Sequence, residues 1–434
     1  MPKGIRKLQI SFGETHLTHY GGMFLIQWFC KKLDLKRLLQ SYIKFLQKNN
    51  RYTTGELILS LLYTIIAGLG RLNSTRILQY NGSFQSIVGL RSFPNATTLR
   101  RFIHRLTPQA LCQIIAVHNR IRQQVLAYSK MPTSIILDLD STIITVYGHL
   151  ERATIGYNPH KRKRPCYHPL LCFENHTQDY IHGVFRSGDN PSGLERANFL
   201  KECLTKLPPY IYRIRVRADA SFCVKDFIEF LDGEQIGYAI VARLTRAIQH
   251  RLAGVKYHTF CQDWQAGEFH YQPWTWQKLH RFIVVRRPIT EEPTPQLTLF
   301  TLHKYAYHVL ITNLPLNPES VWRFYKERAR VELNIKELKL DYSLAKIPTK
   351  KFLANEIYFH LLLFAYNIVN WFKRLCLSQE FQSITLQTFR IEFLMLPARL
   401  VRTGHQNLLK LPARYVYSWV FDYAIKKIQK LKLL

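Results

Sequence analysis

Apolar positions in the first 130 residues recur at helical intervals. "LDLKRLLQSYIKFLQ" (33–47) and "TGELILSLLYTIIAGLGRL" (54–72) each carry one apolar stripe, and the pattern continues through 95–129. The spacing predicts a helical N-terminal region over 1–130. Asn95, which follows Pro94, is placed to cap a helix bearing Arg100, Arg101 and Arg105. That helix either enters a DNA groove or packs with a basic outer face.

Beyond residue 130 the period shortens. "SIILDLDSTIITVYG" (134–148), "YIYRIRVRADASF" (210–222) and "IGYAIVARL" (236–244) are β-branched and near-alternating, as strands are. "CVKDFIEFLDGE" (223–234) returns to helical spacing between the last two. Strands, a helical crossover and further strands interleaved with helices predict a mixed α/β sheet. Residues 245–316 are aromatic, basic and strand-like, and read as an inserted β-rich subdomain. Helices resume from 317 to about 375. The expected organisation is therefore 1–130, 131–244, 245–316, 317–390 and a basic tail, 391–434. "IYFHLLLFAYNIVNWF" (357–372) is the most membrane-like stretch. It is short for a span and carries His360, Asn367 and Asn370, which favours a buried helix.

Charge narrows the partners. Lys and Arg number 61 against 29 Asp and Glu, a formal net charge of +32 spread through folded-looking sequence. A polyanion is the natural partner, most simply nucleic acid. An anionic membrane surface would ask for a long basic amphipathic helix, and none stands out. The eight cysteines show no zinc-type spacing and suit buried thiols in a reducing cytoplasm. "GMFLIQWFC" (22–30) is too short for a signal sequence. No phosphate loop, dinucleotide fingerprint or serine-hydrolase elbow is present.

The candidate chemistry lies in carboxylates. Within "YKERARVELNIKELK" (325–339), read as one helix, Tyr325, Arg328, Glu332 and Lys339 share a narrow arc beside the apolar stripe of Phe324, Val331, Ile335 and Leu338. A lone acid flanked by cations thus borders a buried edge. Asp140 sits inside an apolar strand, where an unpaired charge is costly, with Asp138 on the same face as its rival. Asp219 stands at the tip of another. Phosphodiester chemistry needs acids that converge like this from different elements to hold divalent metal. Each alone also fits a salt-bridged surface acid, and Glu332 with Arg328 or Lys336 fits an ordinary helical ion pair.

Together these motifs resemble the DDE transposases of bacterial insertion sequences whose signature is Tyr-x2-Arg-x3-Glu-x6-Lys. "DLDST" is similar to the first-Asp strand and "RADASF" to the second-Asp motif, while Tyr325, Arg328, Glu332 and Lys339 fill the signature. "GYNPHKRKRPCYHPLL" and "IYFHLLLFAYNIVNWF" are also similar to segments of that group. The resemblance covers roughly 134–375. It implies an RNase H-like core: a mixed five-stranded sheet with flanking helices, and a β-rich insertion between the second Asp and the Glu. It implies that Asp140, Asp219 and Glu332 are catalytic and bind two Mg²⁺, with Mn²⁺ tolerated. Arg328 and Lys339 would hold DNA phosphates and Tyr325 would hydrogen-bond to one.

Further DNA contacts are expected from Lys161, Arg162, Lys163 and Arg164, although a nuclear address or a solvated loop would read the same. Trp274 and Trp276 are expected either to stack on a flipped base, as in hairpin-forming relatives, or to serve as core. His168 either lines the site or is structural. The partners implied are double-stranded DNA, as inverted-repeat ends and as target, and a second copy in a homodimer; no membrane is involved. The setting implied is the bacterial cytoplasm and nucleoid. The rival readings are an RNase H-fold nuclease that never joins DNA and a binding-only derivative.

Overall fold

The structure is a computed structural model that describes residues 10–45, 51–130, 132–156, 158, 161–289, 305–404 and 406–432. The chain divides into two compact units. One is drawn from Met1–Ser129, His149–Glu151 and Glu337–Leu434, the other from Lys130–Gly148 and Arg152–Lys336.

The first unit is built of helices, as the N-terminal periodicity predicts. Thr53 and Glu56 form a reciprocal capping box that starts helix Thr54–Ile66. The run 95–129 splits into Ala96–Arg105 and Pro108–Tyr128, because Thr107 caps the second helix and Pro108 occupies its first turn. Asn95 caps the first helix by accepting from Thr98 N–H. Leu99, Phe102 and Ile103 face inward, Arg100 donates to Asn73 and Arg101 is exposed. The apolar stretch at 357–372 lies in helix Phe352–Cys376, the one described helix long and apolar enough to cross a membrane. Its most apolar window is 89% buried inside the fold. Asn367 bonds His118, which stacks on Phe364, so a polar residue of that helix is satisfied within the unit. A hairpin, Ala398–Thr403 with Gln406–Lys410, pairs with Leu17–Thr18.

Among the described residues the second unit carries nine strands in one sheet. They are β1 (Ser134–Ser141), β2 (Leu170–Glu174), β3 (Tyr180–Val184), β4 (Arg213–Ala218), β5 (Gly237–Val241), β6 (His258–Cys261), β7 (Trp264–Tyr271), β8 (His280–Pro288) and β9 (Tyr305–Thr312). Their helices are α1 (Gly193–Thr205), α2 (Lys225–Gly233), α3 (Arg246–Leu252), α4 (Pro318–Lys326) and α5 (Ala329–Leu340), of which α5 runs past the boundary between the units. The spatial order is β6-β7-β8-β9-β5-β4-β1-β2-β3. β1, β2 and β3 form an antiparallel meander. After α1 the chain lays β4 parallel to β1, and after α2 lays β5 parallel to β4.

The segment 245–316 does not break this lattice. β9 pairs antiparallel with β5, and β8, β7 and β6 follow outward; residues 290–304 of that segment lie outside the described residues. Ala239, Ala266, Ile283, Val285 and Leu310 from these strands bury Val321 and Trp322 of α4. The run 134–148 is shorter as a strand than its composition predicts. It leaves the sheet after Ser141, and Ile144–Thr145 pairs instead with Pro165–Tyr167 in a small separate sheet.

The run 325–339 requires a correction: it is not one helix. α4 stops at Lys326 and α5 starts at Ala329. In a continuous helix Arg328 N–H would donate to the Phe324 carbonyl; here it donates to Tyr325 O at 2.9 Å. The Phe324 carbonyl accepts from the Arg217 guanidinium instead, at 2.6 Å.

Candidate active site

Parallel pairing of β1 and β4 sets the geometry. Asp138 is level with Arg217 and Leu139 with Ala218, so the next step brings Asp140 level with Asp219, just past the end of β4. Asp138 and Asp140, two residues apart, share one face. Their partners differ. Both Asp138 oxygens are bound by Arg217, at 2.7 and 2.8 Å, with the two side chains 2% and 0% exposed. Asp140 is bound at one oxygen by Arg328 Nη2, at 2.9 Å, and at the other by Ser141 N–H, at 2.7 Å. Arg328 also reaches Glu332 through Nη1, at 3.2 Å. One guanidinium from the turn before α5 thus stands between the strand acid and the helix acid. The i,i+4 pair of Arg328 with Glu332 does form, but it is half of a bridge.

Asp219 turns its carboxylate onto Ser221, accepting from the backbone N–H at 3.0 Å and from the hydroxyl at 2.6 Å. It caps the short helical turn that follows β4. Its charge acts on Asp140, Arg328, Tyr325, His168 and Arg196.

Burial pushes the Asp140 carboxyl up to about 7; Arg328 opposes this, while Asp219 and Glu332 add to it. Burial works against charge on Arg328 too, yet the acids around it, Asp140 first, hold its guanidinium above the ordinary range. Tyr325, mostly buried, is pushed up to about 12 by burial, and Arg328 hydrogen-bonds its hydroxyl. Burial lowers the His168 imidazole, helped by Arg186 and Arg196. Its Nε2 meets Ser141 Oγ at 3.0 Å.

Among the described residues no three His, Cys, Asp or Glu side chains already surround one point closely enough to hold a metal ion. The donor chemistry fits one. Asp140, Asp219 and Glu332 offer hard carboxylate oxygens, and Asp140, buried and facing the charges of Asp219 and Glu332, has a charged form that a further cation would favour. Arg328 holds two of the three together.

The other expected contacts divide. Lys339 is in the last turn of α5, beyond the unit boundary. Lys161, Arg162, Lys163 and Arg164 are all exposed, with Lys161 and Arg164 over the Tyr147 ring. Trp274 is 98% exposed, which removes the core alternative for it; Trp276 is half-buried, edge-on to His280. Five cysteines are buried, whereas Cys112 and Cys261 are exposed, contrary to the expectation of buried thiols throughout. Sequence reasoning passed over Arg217, Asn175, whose Oδ1 accepts from Arg217 at 2.5 Å, and Arg196, which lies within the influence of Asp219. For Arg217 the signal was present: a cation in an apolar strand, on the face shared with Asp219 two residues on.

A family model described as Transposase DDE domain group 1 matches residues 2–433. No curated protein matches the chain. The cryo-EM structure of a piggyBac transposase synaptic complex with hairpin DNA aligns over 95% of this chain and 83% of its own, at 12% identity and a TM-score of 0.47.

Proposed function

Taking as premise that the chain belongs to the transposases with a group 1 DDE domain, we propose that Asp140, Asp219 and Glu332 form its catalytic centre on an RNase H-like core. The chain is an enzyme of DNA transposition, in a family that generally uses divalent metal ions. The five strands β3-β2-β1-β4-β5, with only β2 antiparallel to β1, β4 and β5, support the RNase H-like assignment. The observation that carries the site is the convergence of β1, the end of β4 and α5, with Arg328 joined to both Asp140 and Glu332.

The three carboxylates would hold Mg²⁺, which when bound supplies charge stabilisation to the attacking and leaving oxygens. Arg328, a planar fork already poised between two anions, is suited to a DNA phosphate once one enters. Tyr325 stays protonated and offers its hydroxyl to the same phosphate. Lys161, Arg162, Lys163 and Arg164 meet the DNA backbone, and Lys339 completes the Tyr-Arg-Glu-Lys signature of bacterial insertion-sequence enzymes. Water attack at the element end frees a 3′-hydroxyl, which then attacks the opposite strand or target DNA. Two inverted-repeat ends call for a homodimer, working on the bacterial nucleoid.

The test uses purified protein and the genomic DNA flanking its gene, with and without Mg²⁺, beside Asp219→Ala. Metal-dependent cutting at paired inverted repeats, abolished in the variant with binding retained, is expected. Full cutting by Asp140→Ala would move the first ligand to Asp138. Cutting without joining in a strand-transfer assay would favour a plain nuclease.

A further inference from the structure

We propose that Arg217 is a positioning residue for the catalytic centre: it draws the Phe324 carbonyl out of the helix ladder and so fixes the break that sets Arg328 and Glu332 against Asp140. This rests on reading Asp140, Asp219 and Glu332 as that centre.

All five N–H groups of an arginine can be counted here. Nε and Nη2 bind the two oxygens of Asp138 on β1, at 2.7 and 2.8 Å. Nη2 also reaches Asn175 Oδ1, just past β2, at 2.5 Å. Nη1 donates to the Phe324 carbonyl on α4 at 2.6 Å and to Glu327 in the turn at 3.4 Å. The Phe324 ring lies over the guanidinium at 5.1 Å. The side chain is fully buried. An ion pair between neighbouring strands would occupy two of these donors. Of the other three, one reaches Asn175 and two leave the strand pair for the chain segment that delivers Arg328.

The register gives this a direction. Asp138 and Arg217 form one tier on β1 and β4; Asp140 and Asp219 form the next, two residues along each strand, roughly 7 Å away. The same turn closes both tiers, Phe324 and Glu327 on the lower and Arg328 and Glu332 on the upper. With the Phe324 carbonyl diverted, Arg328 N–H turns to Tyr325 O, and α5 restarts with i→i+3 bonds at Arg330 and Val331. The spacing of the lower tier therefore dictates that of the upper one.

Replacing a buried ion pair by apolar residues of similar volume often leaves stability unchanged, so function can be separated from folding. The double variant Arg217→Met with Asp138→Leu is compared with the parent and with Glu332→Ala. Three quantities are read: thermal midpoint, Kd for element-end DNA and single-turnover cleavage rate on saturating DNA. The expected result is a midpoint near the parent's, Kd within about threefold and a rate down roughly 100-fold, the scale of a misplaced reacting group. A folded double variant that cleaves at the parental rate while Glu332→Ala is inactive overturns the proposal alone. Parental activity in Glu332→Ala overturns the reading of the centre and the proposal with it. Should the double variant not fold, Arg217→Lys keeps the charge but lacks the planar fork. Folded and about tenfold or more slower supports the proposal, and an unchanged rate overturns it.

Discussion

Asp140 shows how one residue ties stability to pH. Its folded-state pKa lies near 7, against an ordinary value of 3.8. Below pH 3.8 the side chain is protonated folded or unfolded. Between 3.8 and 7 the unfolded chain releases the proton while the fold keeps it, so stability falls as pH rises; above 7 the loss is complete. The full shift corresponds to on the order of 4 kcal/mol. In EDTA, the parental thermal midpoint should drop between pH 5 and pH 8, and Asp140→Asn should not share that part of the drop. Equal drops would remove Asp140 as the cause. Trp274 makes the complementary case. With its indole in solvent, Trp274→Ala should leave the midpoint unchanged; if a base stacks on it, DNA affinity should fall by about 1–3 kcal/mol. The acids were visible in sequence because buried-looking strands rarely carry them. Arg328 meeting Asp140 was not, since the two are far apart in the chain and meet only after the sheet forms.

Elements were legible wherever local signals decided them. Asn95, Thr53 and Thr107 mark helix starts by bonds made within a few residues. Ser192 acts likewise, forming a capping box with Glu195 at the start of α1. Ser192→Ala should cost about 1 kcal/mol in a denaturant titration, and no loss would mean that the cap is dispensable. The interruption between α4 and α5 was illegible for the opposite reason. Local propensity favours continuity there, and the competing donor, Arg217, lies 107 residues earlier. Nor could periodicity show that β9 would pair with β5, since alternation reports a strand but never its neighbour. Close backbone approach sets a further constraint. A Cβ on Gly156 would stand 1.8 Å from the Gly188 carbonyl oxygen. Gly156→Ala should therefore disturb the small sheet that carries the 161–164 loop, read as a lowered thermal midpoint.

For the whole molecule, charge governs how DNA is approached. A chain at +32 should bind DNA with a steep salt dependence. Neutralising Lys161, Arg162, Lys163 and Arg164 together should flatten the slope of log K against log salt by about 0.9 for each phosphate that this loop no longer neutralises. An unchanged slope would show that this exposed loop touches no phosphate. Composition pointed to a polyanion, and three short motifs in order pointed to a DDE transposase, the family that matches across residues 2–433; the narrower Tyr-Arg-Glu-Lys group is part of the proposal.

Among the described residues, nine strands in one lattice leave two rims at which another chain could pair. At one, four of the five residues of β3 are buried, so little of that rim is open to a second chain. At the other, β6 is only four residues long, and its pairing slips register between Thr259 and Cys261. A covered rim and a short, irregular one are poor templates for edge-to-edge polymerisation. The enzyme can therefore be concentrated along DNA by its charge without its sheets growing into one another.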